Sequence, residues 1–222
     1  MTPGDISKDG LWRNNPALVQ LLGLCPLLAV SNTVINGLVL GCLTVFVLVS
    51  ANGVISMIQR WLDDATRLPA QILIIASFVT LADLLLQTVS FELHQRIGLF
   101  VALIVTNCVI LGRAEAFARK HHVGYALLDG LFMGLGFLLV ITVLSILREA
   151  LGQGTILAGA DLIFGPAAKQ WTVKLPNEGM LLAVLPPGAF LLFGLMIAFK
   201  NWIELQRNEQ TKTLRDTKAT QG

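Results

Sequence analysis

Charge is scarce in this 222-residue chain. Asp, Glu, Lys and Arg make up 14% of it, against about 25% in a soluble domain. From Asn14 to Gln59 there is no charged residue at all. That excludes an ordinary soluble fold, and a net charge of +2 is too small for a nucleic-acid-binding surface. Cysteine is scarce too. Cys25, Cys42 and Cys108 all lie in apolar runs, which excludes a secreted disulfide framework. No cleavable signal sequence is expected. Met1 to Arg13 is polar, and the run that follows is far longer than the roughly 7–15 apolar residues of a signal.

Apolar length is what the chain has in abundance: 55% of its residues are hydrophobic and the mean hydropathy is +0.72. Roughly 20 apolar residues cross a bilayer. Six segments approach or exceed that length, near 15–32, 34–59, 68–90, 95–117, 124–148 and 179–201. The pattern predicts an all-α integral membrane protein: one six-helix domain over 1–205, then a polar tail, 206–222, that frays. Ser31-Asn32-Thr33 is the turn between the first two helices. The single long connection, Arg148 to Glu178, is broken by Gly152, Gly154, Gly159, Gly165 and Pro166. With both termini cytoplasmic, all but four of the 16 lysines and arginines fall on the cytoplasmic side; the exceptions are Arg96, Arg148, Lys169 and Lys174. That is the asymmetry the positive-inside rule requires, and Trp12, Trp61 and Trp202 stand at helix ends as interface anchors.

An internal repeat adds a symmetry. Asn36-Gly37-Leu38-Val39-Leu40-Gly41 answers Asp129-Gly130-Leu131-Phe132-Met133-Gly134, and each opens the helix after a cysteine-bearing one. With three helices per half, the first repeat (15–90) and the second (95–203) are expected to be inverted about an axis in the membrane plane. Asn36 and Asp129 then read as helix caps. Inversion would bring Cys25 and Cys108 together near the midplane. Pro26 and Gly23 disfavour a regular helix at Cys25. Irregular backbone at membrane depth must be buried or line a cavity, so the cysteine-bearing first helices are expected to be broken around a packed site.

Two readings of those thiols stand side by side. As soft ligands they suit iron–sulfur chemistry: two of the four a cluster wants, with the other two coming from another subunit. As buried cysteines they are small hydrophobes, which is also the reading for Cys42. Asp83, inside the third helix, is a candidate for an ion pathway or a hydrogen-bonded structural carboxylate. Asn107 is either a donor toward cluster sulfur or a packing residue. Arg113 and Glu115 read as a local ion pair or subunit contact, and His121-His122 as a solvated turn.

Longer motifs carry a resemblance. They are the run from Trp12 through Asn14-Asn15-Pro16 and Gly23-Leu24-Cys25-Pro26 to Val30, then Leu103-Ile104-Val105-Thr106-Asn107-Cys108, Gly112-Arg113-Ala114-Glu115-Ala116-Phe117-Ala118 and Leu185-Pro186-Pro187-Gly188-Ala189-Phe190. In these the chain resembles the E-subunit family of the Rnf (Rsx) ion-translocating electron transport complex. It is more distantly similar to the D subunit of the Na⁺-translocating NADH:quinone reductase. The resemblance implies a partner, the homologous A subunit of opposite topology. Each of the two chains supplies two cysteines, here matching Cys25 and Cys108, to one [2Fe–2S] cluster buried between them. It implies a complex with B, C, D and G subunits in the bacterial inner membrane, moving electrons between ferredoxin and NAD and coupling this to Na⁺ or H⁺ movement. Flavins in the family sit on the D and G subunits. None is expected here, since Thr142, Ser145 and Thr155 lie in no flavin-attachment context. The chain is not expected to be catalytic alone, nor to bind nucleic acid. Two alternatives are the same complex reducing a redox-sensing transcription factor, and a metal-free subunit resembling a secondary transporter.

Overall fold

The computed structural model describes residues 9–61, 63, 66–156, 173–174 and 181–219. Its helices are α1 (Leu24–Val30), α2 (Val34–Ile58), α3 (Arg67–Val89), α4 (Phe91–Val101), α5 (Cys108–Arg113), α6 (Val123–Gly152), α7 (Leu181–Val184) and α8 (Pro186–Ala219). Single π-helical turns stand at Asp9–Arg13 and Ala114–Ala118. A two-residue antiparallel ladder pairs Thr155–Ile156 with Val173–Lys174. The rest of the connection from 157 to 180, with Lys169 and the expected start of the last span at 179, lies outside the described residues, as do 220–222.

Among the described residues, five helical stretches are long and apolar enough to cross a membrane: Val34–Ile58, Arg67–Val89, Phe91–Ala118, Val123–Gly152 and Pro186–Arg207. The chain is therefore a multi-pass, all-helical membrane protein. Four of the expected segments match four spans closely. The sixth begins later than expected, and α8 stays helical to Ala219, through the tail expected to fray. The first expected segment, 15–32, is not among these five. Its only α-helix is the seven-residue α1, about 10 Å long at 1.5 Å per residue against a hydrocarbon core of about 30 Å.

Local chemistry explains that difference. Asn15 is buried, and its Oδ1 accepts the N–H groups of Ala17 and Leu18 at 3.0 and 3.1 Å. Its Nδ2 donates to the Gly136 carbonyl at 3.1 Å. Pro16 lacks an N–H, and Leu21 and Gly23 take left-handed backbone angles. The segment is apolar enough for a helix, but its backbone is committed to turns that lie against α6.

The core is built on the antiparallel crossing of α2 and α6. Both helices present small residues at the contact, so the backbones approach closely, as membrane helices do when packing rather than the hydrophobic effect holds them. Gly37 faces Ser145, and Gly41 faces Leu138. Gly130 faces Asn52 and the Leu48 carbonyl, and Gly134 faces Val45. Around this axis Leu40, Leu48, Phe137, Ile141 and Leu144 are wholly buried. By contrast Leu73, Leu84, Val89, Leu99 and Leu195 stand exposed on the outer helices, as lipid-facing residues must.

A Cβ on Gly134 would lie 3.1 Å from Val45 Cα, a backbone atom that cannot give way. Gly134→Leu is expected to cost about 1–3 kcal/mol through overpacking and to lower the unfolding temperature in detergent. Gly194→Leu, with nothing within 4 Å of its would-be Cβ, is expected to leave that temperature unchanged.

Candidate metal centre

Each cysteine sits just after a break in its helix. In the first, Leu21 has φ 55° and Gly23 φ 73°. Left-handed angles cost an ordinary residue roughly 1–2 kcal/mol, so Leu21 is strained where Gly23 is not. The Leu22 N–H closes the loop on the Pro16 carbonyl at 2.8 Å. α1 then starts at Leu24, which puts Pro26 in the first helical turn, where a missing N–H is harmless. The expected disruption at Pro26 is thus displaced to residues 21–23. The second break is Val105–Asn107. Asn107 caps α5, its Oδ1 accepting the Val109 N–H at 3.0 Å, so Cys108 is the first residue of the new helix.

The two breaks touch. A Cβ on Gly23 would lie 2.9 Å from Val109 Cγ2, 2.9 Å from Phe137 and 3.0 Å from Asn107 Oδ1, and Leu22 packs on Gly112. The backbone here is packed, as expected, but the thiols are not. α1 turns Pro26, Leu27 and Val30 inward, and α5 buries Val109 and Ile110. That phase points Cys25 and Cys108 outward, and both are free and exposed, as is Cys42. Among the described residues no group of three His, Cys, Asp or Glu could hold a metal. An open groove of about 450 Å³ beside Cys25 is lined by Leu24, Leu28, Asn32, Arg148 and Phe190, among others.

Among the described residues, charged side chains gather in several clusters. Asp83 leaves the bundle axis and faces the start of α4: His94 Nδ1 lies 3.0 Å from its Oδ1, and Gln87 donates to its Oδ2 at 3.1 Å. Arg113 grips Asp129 with Nε on Oδ2 at 2.9 Å and Nη2 on Oδ1. Asp129 therefore does not cap α6, as its sequence position suggested; it lies well inside that helix, and its burial explains why it takes a bidentate partner. Asn36 is likewise no cap, because Thr33 Oγ1 accepts the Asn36 N–H. Glu115 accepts from Arg67, Arg119 and Gln71 at 2.8, 3.0 and 3.2 Å, so Arg113 and Glu115 do make local pairs. His121 is not simply solvated: its ring stacks on Phe117 at 4.0 Å.

Sequence reasoning missed a further cluster, placing Arg148 in an external loop. It is instead buried in the last turns of α6. It donates to the carbonyls of Leu28, Ala183 and Val184 and to Ser31 Oγ at 3.0, 3.2, 2.7 and 2.8 Å. Its neighbour Glu149 accepts the Val34 N–H at 2.7 Å. Together they tie the end of α1, the start of α2 and α7 to α6. The available signal was two opposite charges side by side, closing a long uncharged run.

Five candidate spans among the described residues and two touching helix breaks with outward thiols define a polytopic membrane protein. Residues 4–197 match the family described as "Rnf-Nqr subunit, membrane protein". A protein of Pseudomonas paraeruginosa, named as the E subunit of an ion-translocating oxidoreductase complex, is 54% identical over 210 residues, covering 94% of this chain and 88% of that one. Proteins of the same name from Pseudoalteromonas atlantica (49% identical; 97% and 94% covered) and Shewanella baltica (50%; 93% and 90%) are also similar. The chain belongs to the Rnf-Nqr family.

Asp129 is almost fully buried and Arg113 is its partner. Arg113→Met is expected to cost about 3–5 kcal/mol by stranding a buried carboxylate. The double variant Arg113→Met/Asp129→Leu is expected to recover most of that loss, read as thermal unfolding in detergent.

Proposed function

We propose that the chain is a membrane component of an ion-translocating oxidoreductase complex that supplies half the ligands of a [2Fe–2S] cluster, the other half coming from a homologous A-type subunit. One observation carries this reading: two free thiols face outward from two helix breaks that touch each other. The donor set fits the group. Thiolates are the ligands such a cluster takes, and it takes four; two outward thiols with no third ligand among the described residues are half a site, open on the side where a second chain would close it. Cys25 and Cys108 would hold the iron, and the packed backbone beneath them would keep their spacing. Bound there, the cluster supplies one-electron transfer across a low-dielectric layer.

The inverted repeat is part of the same proposal. Support comes from the crossing of α2 and α6. The offset that carries Gly37 to Gly130 also carries Asn52 to Ser145, so the Gly37–Ser145 contact maps onto the Gly130–Asn52 contact. The Gly41–Leu138 contact maps onto Gly134–Val45 in the same way. In this reading a two-fold axis through the crossing relates the two pairs of contacts.

The relatives are named as E subunits of ion-translocating oxidoreductase complexes, which favours energy conservation; a complex with the B, C, D and G subunits of Rnf, in the inner membrane with both termini cytoplasmic, belongs to the same proposal. The reduction of a transcription factor by the same complex would use this chain in the same way. A metal-free, transporter-like role would leave the two outward thiols without a purpose. Asp83, held by His94 and Gln87, is the intramembrane carboxylate assigned here to the ion path.

The test is EPR with iron and sulfide analysis on this chain co-purified with its homologous membrane partner. About two irons per heterodimer and a reduced [2Fe–2S] signal are expected, and both should vanish in Cys25→Ser and in Cys108→Ser while Cys42→Ser keeps them. A folded, metal-free wild-type heterodimer would move the transporter-like reading to the front. Asp83→Asn is expected to retain iron and lower ion transport in vesicles; unchanged transport would assign Asp83 to packing between α3 and α4.

A further inference from the structure

Asn107 is 1% exposed, and its side chain does two separable things. The orientation of its amide is fixed, because Oδ1 is the atom that accepts the Val109 N–H at 3.0 Å and only an oxygen can accept there. Nδ2 is therefore the other end. It is buried and has no acceptor among the described residues. A buried donor left unmet costs about 1–3 kcal/mol, and native structures leave few of them. Asn107 stands immediately before Cys108, and its Oδ1 lies against Gly23, two residues before Cys25. The other close neighbours of Gly23 are the apolar side chains of Phe137 and Val109, which offer no acceptor. What the site lacks is an acceptor, and thiolates holding iron are acceptors where neutral thiols are poor ones.

We propose that Asn107 Nδ2 donates its N–H to a cysteine sulfur of the cluster site and thereby sets the reduction potential of the cluster. This rests on the shared-cluster reading above. Reduction adds one electron and moves no proton. An N–H donated to sulfur favours the more negative, reduced state, so the donor raises the potential. Asn107 is a positioning residue in this role and not a ligand: Oδ1 holds the α5 terminus that carries Cys108, while Nδ2 acts on the sulfur.

The experiment separates the two ends of the amide. In the co-purified heterodimer, Asn107→Ser keeps an oxygen that can cap α5, but its reach stops one bond short of Nδ2. Asn107→Asp keeps the cap and removes the donor outright. Both are expected to retain iron and a folded heterodimer while the cluster becomes harder to reduce. The serine variant should lose about tenfold in the reduction equilibrium constant, or 59 mV for one electron, and the aspartate variant more. With asparagine side chains labelled with ¹⁵N, pulsed EPR of the wild type is expected to show a nitrogen coupling that both variants lack. An unchanged potential with iron retained would overturn the role of Asn107 and leave the shared cluster standing. Loss of iron in both variants would assign Asn107 to assembly alone and overturn the proposal. A wild-type heterodimer without iron would overturn the cluster and this inference together.

Discussion

The fold depends on how closely α2 and α6 can approach. With little hydrophobic driving force between helices in lipid, close packing must hold the bundle. The glycines at positions 37, 41, 130 and 134 let each helix seat its partner's side chains directly against backbone. Everything else is referred to that axis. The segment before α1 lies along α6 through Gly10 and Asn15, the break at Gly23 rests on Phe137 of α6, and Arg148 at the far end of the same helix gathers α1 and α7.

The cysteine segments are irregular for opposite reasons that arrive at the same geometry. Before Cys25 the chain is bent by backbone conformation: a left-handed glycine and, more expensively, a left-handed leucine. Before Cys108 it is bent by a side chain, since Asn107 replaces the missing helical hydrogen bond with its own oxygen. A bilayer offers no water to satisfy loose backbone groups, so each break survives by leaning on the other and on α6.

Much of the fold was legible from apolar length. The spans now seen at Val34–Ile58, Arg67–Val89 and Val123–Gly152 lie within a few residues of the runs that announced them, because a bilayer imposes its thickness on sequence directly. The short α1 was not legible in that way. Its run is as apolar as a span, and only Asn15-Pro16 and the backbone angles at Leu21 and Gly23 divert it. Arg148 was hidden for a related reason: counting positive charges by side treats every arginine as a loop residue, whereas this one finds four acceptors inside the protein. At the candidate site the identities of Cys25, Cys108 and Asn107 could be read from the chain. The outward direction of the thiols could not, because it depends on the phase of two short helices, and that is set by where each break ends.

The outward thiols also bear on the order of events in the cell. Cys25 and Cys108 are exposed in the chain by itself, and exposed cysteines are open to oxidation beyond the reversible stages. If a second chain closes the site as proposed, a chain made ahead of that partner would hold an unprotected pair of sulfurs at its surface, and its useful lifetime would be governed by how quickly the opposing surface arrives. Balanced synthesis of the two chains would then matter as much to this protein as the stability of its own fold.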